Sequence, residues 1–190
     1  MEAEAPRIVQ AGDPVVRSPT AAVDSAAIRT PAMQNLIAGM VAAMRAAPGI
    51  GLAAPQVGVA KRMFVMEDRP EMTADLPKDV LIEREREPAP LRVLFNPVVR
   101  PVGAQTRDFF EGCLSITGYT AMVTRHREVA VAYLDENGEP QEWIARGWPA
   151  RVVQHEYDHL DGILYPMRIR DMRNFGFHDV IFPDQPDADE

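Results

Sequence analysis

Residues 155–159 read His155-Glu156-Tyr157-Asp158-His159. On a helix, imidazoles four residues apart project from one face and can share a metal ion. Glu156 lies beside them, where it reaches a water on that ion. Ala150 to Gln154 before the run and Asp161-Gly162 after it supply a helical body and a stop. A hydrolytic metal site takes three protein ligands and leaves a position for water. The extended metalloprotease pattern wants its third His where this chain has Tyr165, and Asp171 and Asp179 are weak acidic candidates downstream. The single cysteine, Cys113 in Glu111-Gly112-Cys113-Leu114-Ser115, is a better candidate. A lone buried Cys is more often an inert small hydrophobe, but a thiolate is a strong ligand for Zn or Fe(II), and Cys plus two His leaves one coordination position open.

A second unusual stretch runs from Gly49 to Gly58, small residues and glycines around one polar side chain, Gln56. It lacks the Lys and Ser/Thr of a phosphate-binding loop, and Ala54 stands where a dinucleotide loop needs its third Gly. Such a loop lets backbone approach another segment or a ligand closely.

These residues need elements to hold them. Thr30-Pro31 caps a helix whose Met33, Leu36, Ile37, Met40, Val41 and Met44 repeat at helical spacing and face a core, with an end expected at Pro48-Gly49. Arg62 to Met66 and Leu91 to Phe95 read as short strands. Between them, Glu67 to Pro90 reads as a long loop with one helical turn, its run Glu83 to Glu87 a solvated face. Val129 to Leu134 and Glu142 to Ala145 flank Asn137-Gly138, a hairpin turn. The Pro- and Asp-rich end, residues 183–190, is expected to be a flexible tail.

Twenty Lys+Arg against 28 Asp+Glu leave 190 residues at −8, which argues against broad charge-driven binding to nucleic acid or an anionic membrane. One cysteine cannot form an intrachain disulfide, and no signal-like start or bilayer-spanning stretch is present, so a soluble protein in a reducing compartment is expected. The whole chain reads as one domain.

Three segments together resemble one family, the peptide deformylases. Its motifs Gly-φ-Gly-φ-Ala-Ala-x-Gln-φ-Gly, Glu-Gly-Cys-φ-Ser and Gln-His-Glu-x-Asp-His-Leu-x-Gly match Gly49 to Gly58, Glu111 to Ser115 and Gln154 to Gly162, in that order. The likeness spans about residues 8–172. Gly147-Trp148-Pro-Ala-Arg151 and Gly118-Tyr119 resemble a subgroup found in bacteria and organelles. The resemblance implies an α+β fold: short antiparallel strands around a central metal-binding helix, plus an N-terminal helix. It implies that Cys113, His155 and His159 hold one divalent metal, natively Fe(II), with Zn, Ni or Co able to replace it. Glu156 would move the water's proton, and Gln56 with the backbone N–H of Leu114 would stabilise the oxyanion.

The substrate implied is the N-formyl-methionyl end of a new polypeptide, cleaved to formate, with at most transient ribosome contact and neither membrane nor specific nucleic acid as partner. Gly49, Ile50, Gly51 and Glu111 would bind it, with Ile50, Tyr119, Trp148, Val152 and His155 around the Met side chain. Many bacterial members carry a basic residue seven positions after the motif Cys, where this chain has Thr120. Asp158 is placed to orient a ligand or pair with Arg125, while His126 and His178 have no ligand spacing. The compartment expected is bacterial cytoplasm, or an organelle matrix after loss of a leader. Two rivals differ in what they require: a peptidase of the same pentapeptide would be indifferent to Cys113, and a binding module would keep metal without releasing formate.

Overall fold

The computed structural model describes residues 5–47 and 49–183. Helix α1 (Ser25–Ile28) is a single turn, and α2 (Pro31–Ala46) follows it. Thr30 caps α2 by accepting the Met33 N–H, with Pro31 in the first turn, where its missing N–H costs nothing. Met33, Ile37, Met40, Val41 and Met44 are buried against Ile28, Leu52, Met63, Val65 and Phe95, so the methionine stripe is core as its spacing predicts. The expected stop at Pro48 falls on a residue outside those described.

Two antiparallel sheets follow. Strands β1 (Gly51–Ala53), β2 (Met63–Asp68), β3 (Ala89–Pro101), β6 (Glu128–Leu134) and β7 (Pro140–Arg146) form one, in the order β1-β2-β3-β6-β7. Strands β4 (Thr106–Glu111), β5 (Tyr119–His126) and β8 (Phe175–Phe177) form the other, in the order β4-β5-β8. Helix α4 (Gly147–Leu160) contacts β1, β2, β3, β6 and β7 of the first sheet and β5 of the second. Its buried Trp148, Val152, Val153 and Leu160 pack with Phe64, Leu94, Val129 and Val131. The central helix and its antiparallel surround match the fold expected from the resemblance. Among the described residues no helix is long and apolar enough to cross a membrane.

Helix α4 begins without a loop. Gly147 directly follows β7, takes φ +59°, and donates its N–H to the Arg127 carbonyl at 2.9 Å. A Cβ there would stand 2.7 Å from the Glu85 carbonyl oxygen, so both conformation and space demand glycine. The α4 stop works the same way: Gly162 takes φ +72°, and a Cβ on it would meet the Arg17 backbone at 2.7 Å.

The structure corrects one stretch. Residues 67–90 include a 3-10 turn (Pro70–Met72) and helix α3 (Lys78–Arg84), and of the run Glu83 to Glu87 the two end residues are exposed while Arg86 is buried. Arg86 is 2% exposed and forks onto buried Asp68 at 2.8 and 3.2 Å. The Arg84 guanidinium lies 4.6 Å from the Trp148 ring centroid, and Glu85 pairs with Arg127. A charge run hides this because each partner lies far along the chain. Beyond α4 come a 3-10 turn (Tyr165–Arg168) and helix α5 (His178–Ile181). The expected tail falls almost wholly on residues 184–190, outside those described.

Candidate metal centre

The site forms where β1, the turn after β4 and one face of α4 converge. The ligand atoms of Cys113, His155 and His159 all lie within 4.8 Å of one another, with Cys113 Sγ 3.4 Å from His159 Nε2. Cys113 and His159 are buried, and the His155 side chain is nearly so. A soft sulfur with two imidazoles in this spacing suits a divalent transition metal and leaves room for a further ligand. Beside them Glu156 is 4% exposed, and among the described residues its Oε2 has no hydrogen-bond partner. An unpartnered buried carboxylate oxygen is costly unless the site's chemistry uses it. Burial pushes the Glu156 carboxyl up to about 7.

Glycine sets the fit around that carboxylate. A Cβ on Gly51 would stand 2.8 Å from Glu156 Cδ, and one on Gly49 would stand 2.7 Å from Leu114 Cδ1. The close approach expected of the glycine loop is therefore to this carboxylate and to the cysteine turn. Gln56 is 1% exposed. Its Oε1 accepts the Ala53 N–H at 2.8 Å, which fixes the amide so that Nε2 faces Cys113 Sγ at 3.6 Å and Ser115 Oγ at 3.3 Å. Among the described residues no hydrogen bond uses the Leu114 N–H. The N-terminal segment braces this turn: Gln10 donates to the Leu114 carbonyl at 2.9 Å, and the Ala11 N–H donates to the Ser115 carbonyl at 2.7 Å.

Glu111 sits at the end of β4 as a buried hub. It accepts a fork from Arg125 at 3.0 and 2.9 Å and a further bond from Arg151, and its Oε2 lies 3.0 Å from His155 Nδ1. Burial opposes ionisation of Glu111, but Arg125 and then His155 outweigh it and hold the carboxyl well below its usual range. An ionised Glu111 fixes the His155 proton on Nδ1 and turns Nε2 toward the metal position. Burial likewise opposes a charge on His155, yet contacts with Cys113 and Glu111 raise its pKa well above the ordinary value. Burial, and next the neighbouring His155, drive the His159 pKa well below its ordinary value. A cation bound at this site would compete with the proton that these contacts favour on His155.

A cleft of about 480 Å³ opens on these groups, lined among others by Gly49, Ile50, Gly51, Leu114, Trp148 and Val152. Of the residues expected at the site, Tyr119 does not line it. Its ring stacks on Phe175 and Phe177 across the β5–β8 pair, at 5.3 and 4.4 Å between centroids, because β8 supplies aromatic partners on that side. Glu111 lines the cleft as expected, and its carboxylate is held by two arginines and His155. Arg125 and Asp158 are buried rather than at the surface. Thr120 is buried too, and its hydroxyl donates to the Glu111 carbonyl at 3.0 Å. Sequence reasoning missed Arg151 as a wall of the cleft, although it lies one helical turn before His155 and so on the same face. It also missed Ser115 as the partner of Gln56.

Comparison with known proteins follows the same lines. The model of the polypeptide deformylase family matches residues 5–175. The chain is 48% identical over 160 residues to the chloroplastic peptide deformylase 1A of Solanum lycopersicum, covering 84% of this chain and 58% of that one. It is 40% identical over 185 residues to peptide deformylase 1 of Nitrosomonas europaea, covering 96% and 98%. Among solved structures, the Met-Ala-Ser-bound class I type b peptide deformylase from Acinetobacter baumannii superposes with a TM-score of 0.77 at 31% identity, covering 89% of this chain and 100% of that one.

Proposed function

The chain belongs to the polypeptide deformylase family, hydrolases that remove N-formyl groups from nascent polypeptides, and from that premise we propose how its residues carry out the reaction. The observation that carries the reading is the Cys113, His155 and His159 donor set gathered beside buried Glu156, whose Oε2 has no hydrogen-bond partner among the described residues. Those three residues hold one divalent metal, natively Fe(II), with Zn, Ni or Co able to take its place. When bound, the metal supplies Lewis acidity and lowers the pKa of a water toward neutrality.

The chain's own residues do the rest. Glu156, buried beside the three ligand residues, accepts a proton from the attacking water and delivers it to the amine as formate leaves. Gln56 Nε2 and the Leu114 N–H donate to the formyl oxygen as charge develops there, each worth about 3 kcal/mol in the transition state. Gly49, Ile50 and Gly51 crowd the acyl group, and the Met side chain lies among Ile50, Trp148, Val152 and His155. The Acinetobacter relative was crystallised with Met-Ala-Ser, a peptide beginning with the residue that deformylation would expose. The chain acts as one domain, its core residues 8–172, in bacterial cytoplasm or an organelle matrix. Any ribosome contact is transient, since a charge of −8 supplies no bulk attraction to RNA.

The test compares formyl-Met-Ala with acetyl-Met-Ala as substrates for Fe(II)-loaded protein prepared without oxygen. Formate release with acetyl-Met-Ala untouched is expected, and Cys113→Ala should fail to retain metal through gel filtration. Equal hydrolysis of both amides, or full metal content in Cys113→Ala, contradicts the reading.

A further inference from the structure

Glu111, the group behind His155, is not the end of its chain of contacts. Arg125, which forks onto Glu111, extends its remaining Nη1 to Asp158 Oδ2. Asp158 lies on α4 between the two histidines, and its side chain is 8% exposed. It receives a second fork from the far side: Arg168 donates from Nε at 3.1 Å and Nη2 at 2.7 Å to the two carboxylate oxygens. Arg168 comes from the 3-10 turn after α4, and its side chain is 46% exposed, so it is the one member of this series that solvent reaches freely.

We propose that Arg168 is a positioning residue for the metal centre, acting through Asp158, Arg125 and Glu111 on the orientation of His155. The inference rests on the metal-centre reading above. Its physical basis is the geometry of two forks. A carboxylate held by one fork and one further donor has its plane fixed, whereas Asp158 held by Arg125 alone can rotate about its Cβ–Cγ bond. Rotation moves Oδ2 away from Arg125 Nη1. The Arg125 guanidinium is rigid and planar, so any adjustment to recover that bond turns the fork that holds Glu111 as well. Glu111 has little freedom to absorb such a turn without shifting Oε2 against His155 Nδ1. A lysine at position 168 restores the charge but not the fork, which separates geometry from net charge.

The experiment uses full-length protein loaded with Co(II): wild type, Arg168→Met, Arg168→Lys and Arg62→Met. Arg62 is the control because it also packs at the end of α4, pairing with Asp161 at 2.7 Å, yet touches none of the series. The readouts are the visible Co(II) spectrum and the rate of Co(II) release to a chelator, beside thermal unfolding of each metal-free protein. Arg168→Met is expected to shift the ligand-field bands and to release Co(II) about 10-fold faster, in line with losses on removing outer partners of metal ligands. Arg168→Lys should fall between it and wild type. Arg62→Met should keep the wild-type spectrum and release rate even where its thermal midpoint falls as far. A wild-type spectrum and release rate in Arg168→Met overturn the inference alone. A change equally large in Arg62→Met overturns it as well, since a loosened helix end would then explain the effect. Wild-type protein that takes up no Co(II) overturns the metal-centre reading, and this inference with it.

Discussion

Glu156 is held in place by what is missing across from it. Gly51 offers no Cβ, and the carboxylate fills that space, so the distance between β1 and α4 is set by one absent methyl group. Gly51→Ala is therefore expected to fold and bind metal but to lower turnover by about 10²-fold, the scale of a 1 Å misplacement of a catalytic group. Steady-state kinetics on metal-matched protein, beside a circular-dichroism melt, check this; unchanged kcat would mean that Glu156 does not need its observed position. At this scale the sequence is most readable where chemistry dictates residue type. The His-Glu-x-x-His spacing, the lone Cys and the single amide in a glycine loop all point to residues that meet around one cleft. Tyr119 is less readable, because an aromatic beside a motif can face either side of its strand, and only the distant Phe175 and Phe177 decide which.

Helix α4 carries two of the three residues proposed to hold the metal, and its direction is fixed at its first residue. Gly147→Ala would force φ +59° on an L side chain and press a methyl group onto the Glu85 carbonyl. A loss of about 2–4 kcal/mol is expected, combining left-handed backbone strain with overpacking. Urea unfolding of the metal-free protein measures it, and a loss below about 1 kcal/mol would show that the junction yields. Helix α2 was legible from its Thr-Pro cap and periodic apolar residues, the hairpin from the Asn137-Gly138 dipeptide, and α4 from the histidine spacing and the Asp161-Gly162 stop. Helix α3 was not, since Glu83 to Glu87 looks like a solvated run until Asp68 and Trp148 are brought against it by the sheet. Strand β4 was hidden too. Its Thr106, Arg107 and Asp108 are exposed, so no alternation marks it, although it delivers Glu111 to the site.

In the molecule as a whole the metal position joins parts that meet only on folding: the turn after β4, which holds Cys113, and α4, which the five-stranded sheet supports. A ligand that binds only the assembled site adds its binding free energy to folding. Metal at 100 times its dissociation constant is worth about 2.7 kcal/mol. Chelation should accordingly lower the thermal midpoint by about 5–10 °C in a chain of this size. Cys113→Ser should lose most of that response, and an equal chelator shift in wild type and Cys113→Ser would show that the stabilising metal sits elsewhere. The overall plan of a central metal helix between antiparallel sheets was within reach only through three motifs matched together. Composition and periodicity alone do not say that residues far apart in sequence share one ion. The proposed mechanism turns on the proton transfer by Glu156 in a formyl-amide hydrolysis at this site. It is tested most directly by formate release from formyl-Met-Ala by wild type and Glu156→Gln at equal Fe(II) content. The amide keeps the shape of the carboxylate but cannot accept the proton, so kcat should fall about 10²- to 10⁴-fold with metal content unchanged. Equal rates in the two proteins would contradict the account.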